Sequence, residues 1–171
     1  MRSVAERLPR YAASAAGVLG LDQVTKAWIE RSFDHSRVVP VLGEWFQLRL
    51  VYNPGAAFGL DLGPYSRWIF LVIAVVAVVT LTRLAWTTAP ADRLRLWALG
   101  LVAGGAAGNL FDRVRSPLGV VDFLDLGVGA LRWPTFNVAD IGVSLGAIAL
   151  AVSFWLEDAR RTGVASTPST G

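Results

Sequence analysis

The chain has 171 residues, enough for one domain, of which 54% are hydrophobic and 17% charged, a membrane composition that excludes an ordinary soluble core. It has no cysteine and a single histidine, His35, which excludes disulfides, a thiol nucleophile and HExxH zinc chemistry, and leaves Ser–His catalysis only with His35 as the base. The net charge of +3 does not point to nucleic acid, because the arginines flank apolar segments rather than gathering on a basic face.

Arg2, Arg7 and Arg10 precede an apolar run that contains Asp22 and Lys26. A cleavable signal segment would not hold those two charges, so residues 11–29 read as a first transmembrane helix. Asp22 and Lys26 are four apart and can pair on one face, a structural support that cancels two intramembrane charges. Residues 31–65 are the longest polar stretch. Alternation of Phe46, Leu48 and Leu50 with Gln47 and Arg49 predicts short strands, and Asn53-Pro54-Gly55 a turn. A small antiparallel sheet on the membrane surface is expected there, followed by a short helical or looped piece over 56–62.

The second helix is expected over 68–86, with an aliphatic centre and no chemical group. The third, over 94–114, carries a small-residue stripe through Gly100, Gly104, Gly105 and Gly108, which lets neighbouring helices approach closely. At its end Asn109, Asp112 and Arg113 share one face. Asp112 and Arg113 read as an ion pair supporting a site. Ser116-Pro117 stops the helix. Residues 115–135 read as a flexible loop carrying Asp122 and Asp125, with Asp125 facing water. The fourth helix is expected over 137–156, with Asn137 and Asp140 three apart, and residues 162–171 read as a disordered tail. The fold class is therefore membrane all-α: four transmembrane helices and a small extracytoplasmic β-sheet in the first loop. Arginines are denser in the short segments on the side of the termini, which predicts both termini in the cytoplasm, with 31–65 and 115–135 outside it.

Charged groups at membrane depth normally face a bundle interior and have a function. The hairpin between the third and fourth helices can bring Asp122 and Asp140 together at one surface. Two close carboxylates that share a proton can act as general acid and general base on a peptide bond. The same residues could serve a small transporter or proton pathway, or a scaffold of buried ion pairs, and the residues alone leave these readings open.

Five blocks in order, Asp22-Gln23-Val24-Thr25-Lys26, Asn53-Pro54-Gly55-Ala56-Ala57-Phe58-Gly59, GNLFDRV from Gly108, VVDF from Val120 and FNVAD from Phe136, resemble the signature blocks of bacterial lipoprotein signal peptidase, or signal peptidase II. The resemblance covers about residues 15–156. It implies an intramembrane aspartyl endopeptidase with Asp122 and Asp140 as the catalytic dyad. Asn53, Asn109, Arg113 and Asn137 are then expected along the substrate site, supported by Asp22, Lys26 and Asp112. It further implies lipidated prolipoprotein substrates, cleaved just before the diacylglyceryl-modified cysteine, and a location in the bacterial inner membrane with the site near its outer surface. A monomer in contact with membrane lipid, with no metal or other cofactor, is expected.

Overall fold

The computed structural model describes residues 2–55 and 62–165. The chain runs α1 (Arg2–Ser32), β1 (Val38–Leu42), β2 (Phe46–Asn53), a short 3-10 turn (Gly63–Tyr65), α2 (Ser66–Thr87), α3 (Arg93–Arg115), β3 (Val120–Val128), β4 (Leu131–Arg132) and α4 (Val138–Ala165). Among the described residues three helices, α2, α3 and α4, are long and apolar enough to cross a membrane. The 31-residue α1 is not among them, since Asp22, Gln23 and Lys26 interrupt its apolar run. α3 is the central helix and packs against α1, α2 and α4. Its glycines make this possible. A Cβ on Gly104 would strike the Ala15 backbone of α1, and one on Gly105 would strike the Ala139 carbonyl of α4.

The sheet differs from the expectation. It has four antiparallel strands in the order β1-β2-β3-β4, and half of them come from 115–135, the segment read as a flexible loop. β3 escapes a simple alternation rule because both of its faces are covered at residues 120–123. Val121 and Phe123 join Ile29 of α1, Phe33 just past its end and Leu50 of β2 in an apolar cluster. The opposite face, through Val120, Asp122 and Leu126, lines a cavity. Gly127 does not loosen the segment, because its N–H donates to the Trp45 carbonyl at 2.9 Å and a Cβ on it would strike Leu131 O and Arg132 Cα. Gly119 turns the chain into β3 at φ +102, where a Cβ would strike Asn53 O.

Two further expectations change. Asp125 does not face water: it is 2% exposed and paired with Arg132 at 2.8 Å and Arg49 at 3.8 Å. Residues 162–165, expected in the tail, continue α4 to Ala165, and residues 166–171 lie outside the described residues. The piece expected over 56–62 falls, except for Leu62, outside the described residues.

The apolar interior has two parts. Tyr11, Ala85, Leu96, Leu99 and Ala103 fill one end of the bundle, and the cluster under the sheet fills the other. Between them along α1 and α3 lies a layer of buried polar groups: Asp22, Lys26 and Asp112.

Candidate catalytic site

Asp122 points from β3 toward α4. Its Oδ1 accepts from Asn137 Nδ2 at 2.7 Å and its Oδ2 from Asn53 Nδ2 at 2.9 Å. Asp140 lies in the first turn of α4, where the helix N-terminus favours a negative charge. Its Oδ1 accepts from Asn109 Nδ2 at 2.9 Å and its Oδ2 from the Asn137 backbone N–H at 3.1 Å. In return the Asp140 N–H donates to Asn137 Oδ1 at 3.0 Å. This reciprocal arrangement caps α4 as a capping box does. Every carboxylate oxygen of the pair thus receives one protein donor, and Asn137 touches both residues.

The two aspartates share a cavity of about 460 Å³ with Asn53, Asn109 and Arg113, a volume in the range of small-molecule sites. Its walls are largely apolar, with Leu126, Trp133, Phe136, Ile141 and Leu145. Burial, and then the adjacent Asp140 charge, push the Asp122 carboxyl from its ordinary 3.8 up to about 7, against the bonds from Asn53 and Asn137 and the Lys26 charge. Two coupled carboxylates divided in this way can hold one proton between them near neutral pH.

Of the residues expected at the site, Asn53, Asn109, Arg113, Asp122 and Asp140 line the cavity. Asn137 does not. It is fully buried behind the dyad, and its amide hydrogens go to Asp122, Asn109 Oδ1 and the Val121 carbonyl. The expected Asp112–Arg113 ion pair does not form. Lys26 Nζ bridges Asp22 and Asp112, each at 2.8 Å. Arg113 instead donates to the carbonyls of Asn109 at 3.1 Å and Gly55 at 2.7 Å. Adjacent helical residues point about 100° apart, so Asp112 turns to α1 while Arg113 turns to the cavity.

The supports have a regularity that spacing alone does not reveal. Asp22 Oδ1 accepts from the Ala139 N–H at 2.9 Å, and Asp112 Oδ2 from the Val121 N–H at 3.2 Å. Each support aspartate therefore holds the backbone residue just before one member of the dyad. The cavity walls at Trp133 and Phe136 were likewise hidden in the sequence, because their contact with the site depends on the β3–β4 hairpin.

The family model for Signal peptidase (SPase) II matches residues 14–156. The chain is 39% identical to a lipoprotein signal peptidase of Cellvibrio japonicus, over 84% of each chain. It is 43% identical to one of Cupriavidus taiwanensis, over 83% of this chain and 80% of the relative. Among solved structures, a bacterial membrane enzyme determined at 2.3 Å superposes with a TM-score of 0.79 at 27% identity, over 88% of this chain and 90% of the other. A second, at 1.9 Å, gives 0.74 at 28% identity, over 84% and 91%.

Proposed function

The chain belongs to the signal peptidase II family, and on that premise we propose that it is an aspartyl endopeptidase that removes signal peptides from diacylglyceryl-modified prolipoproteins, cutting just before the lipidated cysteine. One observation carries the mechanism: Asp122 and Asp140, from a strand and a helix, meet at one cavity wall and are linked by Asn137. In this reading Asp122 holds the shared proton and polarises the scissile carbonyl. Asp140 takes a proton from the attacking water. The tetrahedral intermediate then collapses as a proton passes to the leaving amine. Asn53 and Asn109 keep the carboxylates in place, and Arg113 offers the substrate backbone a cationic donor from the cavity edge. The apolar walls suit a signal segment and its acyl chains.

The dyad requires no metal in this scheme, so activity should survive chelation. The reading also takes α1 as a fourth crossing of the bacterial inner membrane. Leu21, Val24 and Trp28 of α1 are exposed, while Asp22 and Lys26 face inward, as a helix between lipid and bundle requires. The enzyme is taken to act as a monomer.

The test is turnover of a synthetic lipidated prolipoprotein peptide by purified protein. Asp122→Asn and Asp140→Asn should each reduce it to background, and the double variant should lose little more, because a dyad acts as a unit. Substantial turnover by either single variant would mean that other carboxylates do the chemistry.

A further inference from the structure

Lys26 is 1% exposed and lies behind the dyad, where it does not itself line the cavity. Its ammonium has three hydrogens and three acceptors: Asp22 Oδ2 at 2.8 Å, Asp112 Oδ2 at 2.8 Å and Asn109 Oδ1 at 3.0 Å. Charge compensation accounts for the first two. The third bond goes to a neutral amide whose other end donates to Asp140.

Each of the three bonds leads to the dyad. Through Asp22 it reaches the Ala139 N–H, one residue before Asp140. Through Asp112 it reaches the Val121 N–H, one residue before Asp122. Through Asn109 it reaches the Asp140 carboxylate itself. The Asn109 contact also fixes which way that amide points. An ammonium only donates, so the amide oxygen must face it and the NH2 must face Asp140; turned over, the NH2 would meet Lys26 and the carbonyl would meet a carboxylate. Asn137 Nδ2 donates to the same oxygen at 3.1 Å, but a charged donor makes the stronger bond. The cation also polarises the amide and strengthens its bond to Asp140.

We propose that Lys26 is the positioning residue of the dyad: it sets the register of β3 against α4 and aims the Asn109 amide at Asp140. This rests on the dyad reading above. The charged groups around this point are Asp22 on α1, Asp112 and Arg113 on α3, Asp122 on β3 and Asp140 on α4.

The experiment uses the full chain in detergent with a lipidated prolipoprotein peptide, measuring kcat, KM, the pH profile and the melting temperature. Lys26→Gln keeps a donor for Asn109 but removes the charge. It should retain most of kcat and move the acid limb of the profile up by about one pH unit, the size of a lost neighbouring charge. Lys26→Met removes both, and kcat should fall about tenfold or more with KM little changed, as when one strong hydrogen bond is lost. Because Lys26→Met leaves two buried carboxylates without a counter-charge and can unfold the protein, the decisive variant combines it with Asp22→Asn and Asp112→Asn. That triple variant keeps acceptors for the Ala139 and Val121 N–H groups and has no buried charge in the cluster, so it should melt near the parent while kcat stays low. A triple variant with parental kcat and pH profile would overturn the proposal and leave Lys26 as charge compensation. Asp122→Asn serves as the control: if it turns over substrate, the dyad reading itself fails, whereas a dead Asp122→Asn beside a fully active triple variant sinks only the role of Lys26.

Discussion

At the scale of single residues, the site joins charges that stability alone would not select. The raised Asp122 carboxyl makes this measurable. Its folded value of about 7 lies above its ordinary 3.8, so between these values the folded state holds a proton that the unfolded chain has released. Stability therefore falls as pH rises from about 4 to 7 and is level above that. Asp122→Asn removes this loss. The variant should melt above the parent at pH 8, with the gap closing toward pH 4, while its turnover is lost. Equal melting temperatures across that range would show that the carboxyl is not held in its neutral form. Asp125 gives a contrasting case. It lies one strand turn away in sequence, yet its carboxylate is taken up by Arg132 and Arg49, and Arg132 also donates to the Glu44 carbonyl at 3.1 Å. Asp125→Asn should cost stability, about 1–3 kcal/mol for a weakened buried charged bond, and reduce turnover far less than either dyad variant. Denaturation and turnover measured on one preparation separate the two effects.

At the scale of elements, legibility followed periodicity. α2 and α3 could be read from their apolar runs, and the α1 pair Asp22–Lys26 from its spacing of four. The start of α4 near Asn137 was expected, but the reciprocal cap between Asn137 and Asp140 came only with the structure. β3 was not legible. A strand buried on both faces loses the alternation that marks one, and Gly127 and Gly129 look like loop residues until Trp45 and Arg132 are seen beside them. The partner of Lys26 on α3 was hidden for a related reason: Asp112 and Arg113 are neighbours in sequence and point to different helices. Close helix packing transmits to the site as well. Gly105 faces the Ala139 carbonyl and the Val143 side chain, one residue from Asp140. Gly105→Ala should push α4 outward, cost about 1–3 kcal/mol as overpacking does, and lower turnover of the protein that still folds. Gly20 has nothing within 4 Å of a built Cβ, so Gly20→Ala should leave both quantities near the parent. Parental turnover by Gly105→Ala would show that the α3–α4 contact does not set the position of Asp140.

At the scale of the whole molecule, the arrangement implies a definite membrane placement. α2 and α3, of 22 and 23 residues, are about 33 and 34 Å long at the helical rise, enough for a hydrocarbon core of about 30 Å. The dyad lies where α3 ends and α4 begins, under the sheet. The opposite end holds the α2–α3 connection at Ala89, and α3 separates the two. Reporter fusions at Ala89 and Gly127 should therefore report opposite compartments. In α1 the polar residues keep the hydropathy low, yet they face α3 and α4 and leave an apolar outer face. If α1 crosses, a reporter at the N-terminus should agree with Ala89, and one at Ser36, between α1 and β1, should agree with Gly127. We take the Ala89 side as the cytoplasmic one, in line with the arginines near Arg10, Arg83, Arg93 and Arg160. Ser36 reporting with Ala89 would mean that α1 lies along the surface. That outcome would be hard to reconcile with a lysine deep on α1 reaching Asp112 and Asn109 within the bundle, which makes the Ser36 fusion the most informative of the four.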